Sequence, residues 1–193
     1  MIDLKSARRA PVAAAILVML GALWALPAAQ AAQAPVAAEH NPPGDIPDSQ
    51  AFIVYSGAGF TMKVPEGWAR HDSASGAGFN DKYNAIQISV ADTSSAPTVA
   101  SITANEVKQL EAMDRAVKVV DVKVVTLAGG TGVKVDYSIN SAPNPVTNKQ
   151  IRLEDVRYFV FAKGKLVTLD MAAPAGADNV DQWSLMSNSI RIK

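Results

Sequence analysis

Apolar residues at every second position, broken by short turn signals, dominate the chain from residue 51 onward. Ile86, Ile88 and Val90 alternate with Gln87, Ser89 and Ala91. Val133, Val135, Tyr137 and Ile139 alternate with Lys134, Asp136, Ser138 and Asn140. A period of two marks a strand with one buried face. The links between such runs are short. Gly57-Ala58-Gly59 separates Phe52 and Val54 from Phe60, Met62 and Val64. Gly129-Gly130 follows the valine-rich run Val117 to Leu127, and Lys163-Gly164 joins a strand over 150–162 to one over 165–173. Such links are too short for the crossovers that parallel pairs need, so the sheet is mainly antiparallel. Short strands are also expected at Phe79 to Asp81 and at Ile190 and Ile192.

Two segments depart from this pattern. Thr103 and Glu106 have capping-box spacing, and Ile102 and Val107 have hydrophobic-staple spacing. With Val107, Leu110 and Met113 on one face, a helix is expected there. A second, short helix carries Val180, Trp183 and Met186 at helical spacing, with Asp178 as its cap. Two amphipathic helices must cover the sheet, which makes residues 51–193 a single α+β domain. A domain of this size buries about two-thirds of its unfolded surface without disulfides or metal. The absence of cysteine excludes disulfide scaffolds, thiolate metal sites and a lipid-modified N-terminal Cys.

The first 50 residues read differently. Lys5, Arg8 and Arg9 precede an uncharged apolar stretch from Ala10 to Leu26, then Pro27 and Ala29-Gln30-Ala31. This is the layout of an export signal over 1–31, cleaved after Ala31. The apolar stretch lies at the short end of what spans a bilayer, so membrane attachment requires that the signal stay uncleaved. Residues 32–50 contain four prolines and little apolar periodicity, the composition of a flexible linker that leaves His40 solvated. The whole chain has 18 basic and 18 acidic side chains, and the part after residue 31 keeps 15 and 17. That mild acidity offers no general attraction for nucleic acid.

The stretch Gly59-Phe60-Thr61-Met62-Lys63-Val64-Pro65-Glu66-Gly67-Trp68 resembles the opening motif of PsbP-like domains, a group that includes LpqN-type lipoproteins and Mog-type Ran-binding proteins. The later Val167-Thr168-Leu169-Asp170-Met171-Ala172-Ala173-Pro174, the helix with Trp183 and the terminal Ser189-Ile190-Arg191 are similar to that group too, over roughly 51–193. The resemblance implies an α/β/α sandwich around a mainly antiparallel sheet with two principal helices. It implies little about function. Plant PsbP stabilises the oxygen-evolving site of photosystem II, and Mog-type proteins bind a small GTPase, so one fold serves unrelated partners. Gly59, Phe60, Pro65, Gly67 and Trp68 carry the motif and read as structural: Gly and Pro shape a turn and Trp68 caps a core. No metal-binding or partner-binding residue is carried over.

Chemistry-bearing residues are sparse. His71 is the one histidine in the folded region, and imidazole suits proton transfer near neutrality. Asp72 or Asp81 would have to assist it. No G-x-S-x-G elbow, phosphate-cradling loop or calcium-loop pattern is present. A carboxylate site would need Asp72, Asp81, Glu154 and Asp155 to meet in space. Trp68, Tyr83, Tyr158 and Phe161 would line a pocket if they converged. Lys149, Arg152, Arg157, Tyr158 and Phe159 are interrupted by Glu154 and Asp155 and read as a mixed-charge solvated strand face.

The expectation is a monomeric exported accessory protein of the cell envelope, acting by protein recognition, with no cofactor and no catalytic residue. A periplasmic carrier of a small ligand or metal ion is the alternative, and a His71-dependent hydrolase the weaker one. The speculative ligand or partner surface is Trp68, His71, Asp72, Asp81, Tyr83 and Tyr158.

Overall fold

The computed structural model describes residues 32–40 and 42–193; the expected export signal lies outside them. Strands β1 (Phe52–Gly57), β2 (Phe60–Pro65), β3 (Ala69–Ser73), β4 (Gly76–Asp81) and β5 (Asn84–Asp92) come first. A helical stretch follows: α1 (Val99–Ile102), a π-helical turn (Thr103–Val107) and α2 (Lys108–Glu111). Then come β6 (Lys118–Leu127), β7 (Gly130–Asn140), β8 (Arg152–Ala162), β9 (Lys165–Pro174), α3 (Val180–Asn188) and β10 (Arg191–Ile192).

The alternating strands pair antiparallel throughout. A seven-stranded sheet runs β3-β4-β5-β9-β8-β7-β6, and a small sheet runs β1-β2-β10. Alternation gives the large sheet two faces, and each has its own core. On the first face Ile86, Ile88, Val156, Tyr158, Val160, Val167, Leu169 and Met171 pack with Phe60, Met62 and Val64 of the small sheet and with Met186 of α3. On the second face Val133, Val135, Tyr137, Ile139 and Phe159 pack under Ile102, Val107 and Leu110 of the helical stretch. Leu169 and Met171 are 0% exposed, and complete burial of such a side chain contributes about 2 kcal/mol. The α+β character is the expected one. The layering is less simple than a helix–sheet–helix sandwich, because the small sheet shares a layer with α3.

Three local expectations are corrected. The first helical stretch starts at Val99, not near Thr103. Its cap is Thr98, whose Oγ1 accepts from the Ser101 amide at 3.0 Å while the Ser101 hydroxyl accepts from the Thr98 amide at 2.9 Å. A serine thus closes the capping box where the sequence pattern sought an acid, and Thr103 to Glu106 falls inside the helix. The stretch ends at Glu111, so Met113 is exposed rather than buried. Asp178 does not cap α3. The cap position belongs to Asn179, whose amide is drawn away from the helix: it accepts from the Ile46 amide at 2.6 Å and donates to the Gly44 carbonyl at 2.9 Å.

Those bonds also bear on the segment read as a linker. Residues 32–50 form no helix or strand where described. They are nonetheless pinned along the domain: Ile46 is 4% exposed in the first core, and the Val36 amide donates to Asn140 Oδ1 at 3.0 Å. Polar side chains rather than apolar periodicity hold this stretch, so a hydrophobicity reading passes over it.

Candidate functional site

The helical stretch covers only the β6–β8 part of the second face, where Val133, Val135, Tyr137, Ile139 and Phe159 lie. Across β3, β4, β5 and β9 the same face carries polar residues. Register places His71, Gly78, Gln87, Asp170 and Arg157 in one row across five adjacent strands. The next row on one side holds Ser73, Gly76, Ser89 and Thr168, and the row on the other side leads through Ala172 to Asp155 and Tyr137. Between them lies a groove of about 530 Å³ lined by His71, Ser73, Gln87, Ser89, Arg157, Thr168 and Asp170.

The floor of the groove depends on glycine. A Cβ at Gly78 would sit 2.5 Å from Gln87 Nε2, and one at Gly76 would sit 1.9 Å from the Ile88 carbonyl oxygen. Only a strand without side chains at these positions lets β5 lie this close and lets the Gln87 amide rest across β4.

The inner end of the groove is charged and tightly bonded. Arg157 donates to Asp170 Oδ2 through Nη2 and, at 3.1 Å, through Nε. The Tyr137 hydroxyl donates to Asp170 Oδ1 at 3.2 Å and accepts from Arg157 Nη2 at 3.2 Å. The guanidinium carbon stands 5.6 Å from the Tyr137 ring centroid. Arg157 and Asp170 side chains are 19% and 21% exposed, so the pair is mostly removed from water. Burial works against the Arg157 charge, but the Asp170 carboxylate outweighs it and holds the guanidinium above its ordinary value. Burial, then the Asp170 and Asp155 charges, raise the Tyr137 phenol, so it remains a proton donor.

Asp155 stands directly across from Tyr137 on β8. It is 9% exposed, and its Oδ2 has no hydrogen-bond partner among the described residues. Burial first and the Asp170 charge second push its carboxyl up to about 8, against the opposing pull of Arg157, Arg115 and the Tyr137 hydroxyl. The protonated form is thereby favoured well above the ordinary carboxylate range.

The residues singled out from sequence do not converge. His71 lies exposed at the outer rim of the groove. Asp72 is engaged by Arg70 Nε at 2.8 Å and by the Tyr55 hydroxyl at 3.1 Å rather than by His71. Asp81 is exposed at the end of β4, and Tyr83 is 49% exposed in the turn that follows. Trp68 packs on the first core. Tyr158 is buried on the face of β8 opposite Arg157, with Lys134 Nζ 5.8 Å from its ring centroid. The pocket expected of Trp68, Tyr83, Tyr158 and Phe161 therefore does not form. Glu154 and Asp155 point to opposite faces of β8, exposed and buried respectively, and among the described residues no three His, Asp or Glu side chains gather as a metal requires. Gly59 and Gly67 take φ of +94° and +85°, the turn geometry that suits glycine, and Phe60 is 0% exposed.

The basic cluster is corrected as well. Arg152 is buried, donating to the Ala116 carbonyl at 2.7 Å and Asn140 Oδ1 at 3.0 Å, and Arg157 is half-buried in its ion pair. Neither is a freely solvated charge: Arg152 is buried behind its acceptors, and Arg157 meets solvent only at the inner wall of the groove. The signal for the ion pair was present in the sequence. Across a two-residue hairpin, residues equidistant from the turn pair, and Arg157 and Asp170 are each six residues from Lys163-Gly164.

No protein-family model and no curated protein matches the chain. Among solved structures, the cyanobacterial PsbP of Synechocystis sp. PCC 6803 aligns over 78% of this chain and 99% of its own, at 16% identity and a TM-score of 0.52. A Bacteroides thetaiotaomicron protein aligns over 74% of this chain and 48% of its own at 12% identity and a TM-score of 0.48. A Pseudomonas aeruginosa protein of unknown function aligns over 68% of this chain and 90% of its own at 12% identity and a TM-score of 0.40. The alignment with the cyanobacterial protein takes in nearly all of that chain. At this identity it speaks of fold alone. The domain described here has a PsbP-like fold.

Proposed function

We propose that the protein is an exported, monomeric accessory protein of the cell envelope that recognises a partner protein through the polar groove, without bond-making chemistry. One observation carries this reading: among the described residues the second face of the large sheet is left open over β3, β4, β5 and β9, and the open part is lined by hydrogen-bonding side chains in register. A sheet face that simply lacked a helix would be expected to carry scattered charges. Here Ser73, Gln87, Ser89 and Thr168 offer uncharged donors and acceptors, and the ion pair at the inner end is already neutralised. Such a surface orients a partner by hydrogen bonds, because each polar group it buries must find a new bond in the complex. Export rests on the residues of segment 1–31 and on nothing in the folded domain.

Site-specific photo-crosslinking in intact cells tests it. A photoreactive side chain at Ser89 in the groove is compared with one at Val146, which is 90% exposed and lies elsewhere. The reading expects a discrete adduct from position 89 that Thr168→Arg abolishes, and none from position 146. Equal labelling from both positions, or an adduct insensitive to Thr168→Arg, rejects the groove as the recognition surface. A bound small molecule in the native mass spectrum, with no protein adduct, would favour the carrier instead.

A further inference from the structure

Behind the groove lies a cluster with more acceptors than donors. Asp155, Asp170, Tyr137 and Arg157 come from three adjacent strands, β7, β8 and β9, and lie on one face. Arg157 and Tyr137 both bond Asp170, and among the described residues Asp155 Oδ2 is left with no partner. A buried carboxylate oxygen without a donor is costly while ionised and tolerable when protonated.

The surrounding charges of Arg157 and Arg115 offset that cost only in part. Arg115, in the segment after α2, is committed through Nε to the Asn140 carbonyl at 2.7 Å. Arg152, on the same strand, is committed to Ala116, Asn140 and Ser138. Glu106 of the π-helical turn acts on Arg157 and, being acidic, brings no donor to Asp155. The donors nearest an ionised Asp155 are therefore Tyr137, directly across the strand pair, and Arg157, two residues along the same face.

We propose that Asp155 is a proton-binding site, and that losing the proton draws Tyr137 and Arg157 away from Asp170, which then presents its charge to the groove. With the proton bound, Asp170 is neutralised by two donors and the groove's inner wall is uncharged. With the proton gone, two carboxylates share one guanidinium and one hydroxyl, and the wall becomes acidic. The proton is taken from and returned to solvent, so nothing else is consumed. The link to recognition rests on the groove being the binding surface; the proton site does not.

Carboxyl-labelled aspartate in the full folded chain, followed by NMR from pH 5 to 10, decides the matter with no partner present. One aspartate resonance should titrate near pH 8 and be missing from Asp155→Asn. The Asp170 resonance, assigned through Asp170→Asn, should move in the same step. Should Asp155→Asn fail to fold, Tyr137→Phe serves: removing the hydroxyl should raise the midpoint. If every aspartate titrates in the ordinary carboxylate range, there is no proton site. If Asp155 titrates high while Asp170 stays still, the coupling is refuted. Loss of crosslinking from the groove would leave both readouts untouched, so the two readings fail separately.

Discussion

Urea unfolding of the wild-type chain and of Asp155→Asn, measured side by side from pH 5 to 9, turns the buried carboxyl into a stability difference. A carboxyl raised from 3.8 to about 8 on folding binds its proton more tightly in the native state. Between those values the folded chain holds more protons than the unfolded one, so stability falls as pH rises. The contribution is whole below 3.8, is lost progressively, and is gone above about 8. Each pH unit within the window is worth about 1.4 kcal/mol, on the order of 4 kcal/mol between pH 5 and 8. That is a large share of a typical domain's 5–15 kcal/mol. Asparagine cannot ionise, so the variant lacks this slope. Any fixed cost of the substitution offsets the whole curve, and contributions common to both chains cancel in the difference. The two curves of unfolding free energy should therefore diverge steadily from pH 5 to 8 and run parallel from 8 to 9, with Asp155→Asn increasingly favoured. Curves parallel throughout would mean that Asp155 is ionised in the folded protein and that its burial is matched by donors or water.

Two further outcomes follow from contacts described above. Arg157→Leu alone strands the Asp170 carboxylate in a mostly buried site and should cost about 3–5 kcal/mol in urea unfolding, whereas Arg157→Leu with Asp170→Leu should recover most of that loss; equal losses for the single and double variants would show that the pair is not electrostatically coupled. Asn179→Ala removes the amide that bonds Ile46 and Gly44 and should cost about 1–3 kcal/mol while speeding limited proteolysis within residues 42–50; an unchanged cleavage rate would show that Ile46 burial alone holds the segment.

The antiparallel sheet was legible because its signals are local. Val133 to Asn140 alternates cleanly, and Lys163-Gly164 leaves no room for anything but a hairpin. β3 was invisible for the same reason: Ala69 to Ser73 are all exposed, so no alternation marks them. The site was harder to read because its parts come from strands far apart in sequence. Tyr137, Asp155, Arg157 and Asp170 each look ordinary alone. Only the pairing of β7, β8 and β9 brings them together, and only the end of the helical stretch leaves the neighbouring face open. Arg157 opposite Asp170 was within reach of hairpin counting. Asp155 was not, because its meaning depends on which neighbour takes the Tyr137 hydroxyl, and that is a matter of side-chain geometry. His71 drew notice as a residue type and proved to be a rim residue.

The strand order of the large sheet carries a consequence in time. β3, β4 and β5 are made early and β6, β7 and β8 late, yet the two triplets touch only through β9, which inserts between β5 and β8. Ala85 pairs with Ala172, 87 positions further on. Until β9 has arrived, β5 has a bare edge and Ile86 and Ile88 have no cover from Leu169 or Met171. The small sheet waits as well, since β10, which pairs with β2, follows β9 and α3 in the chain. Such long-range closure makes folding slow and leaves the incomplete chain prone to aggregation. A nascent chain of this design cannot complete either sheet until β9 and β10 have emerged, and one cut short before β9 carries two open half-sheets in place of a domain.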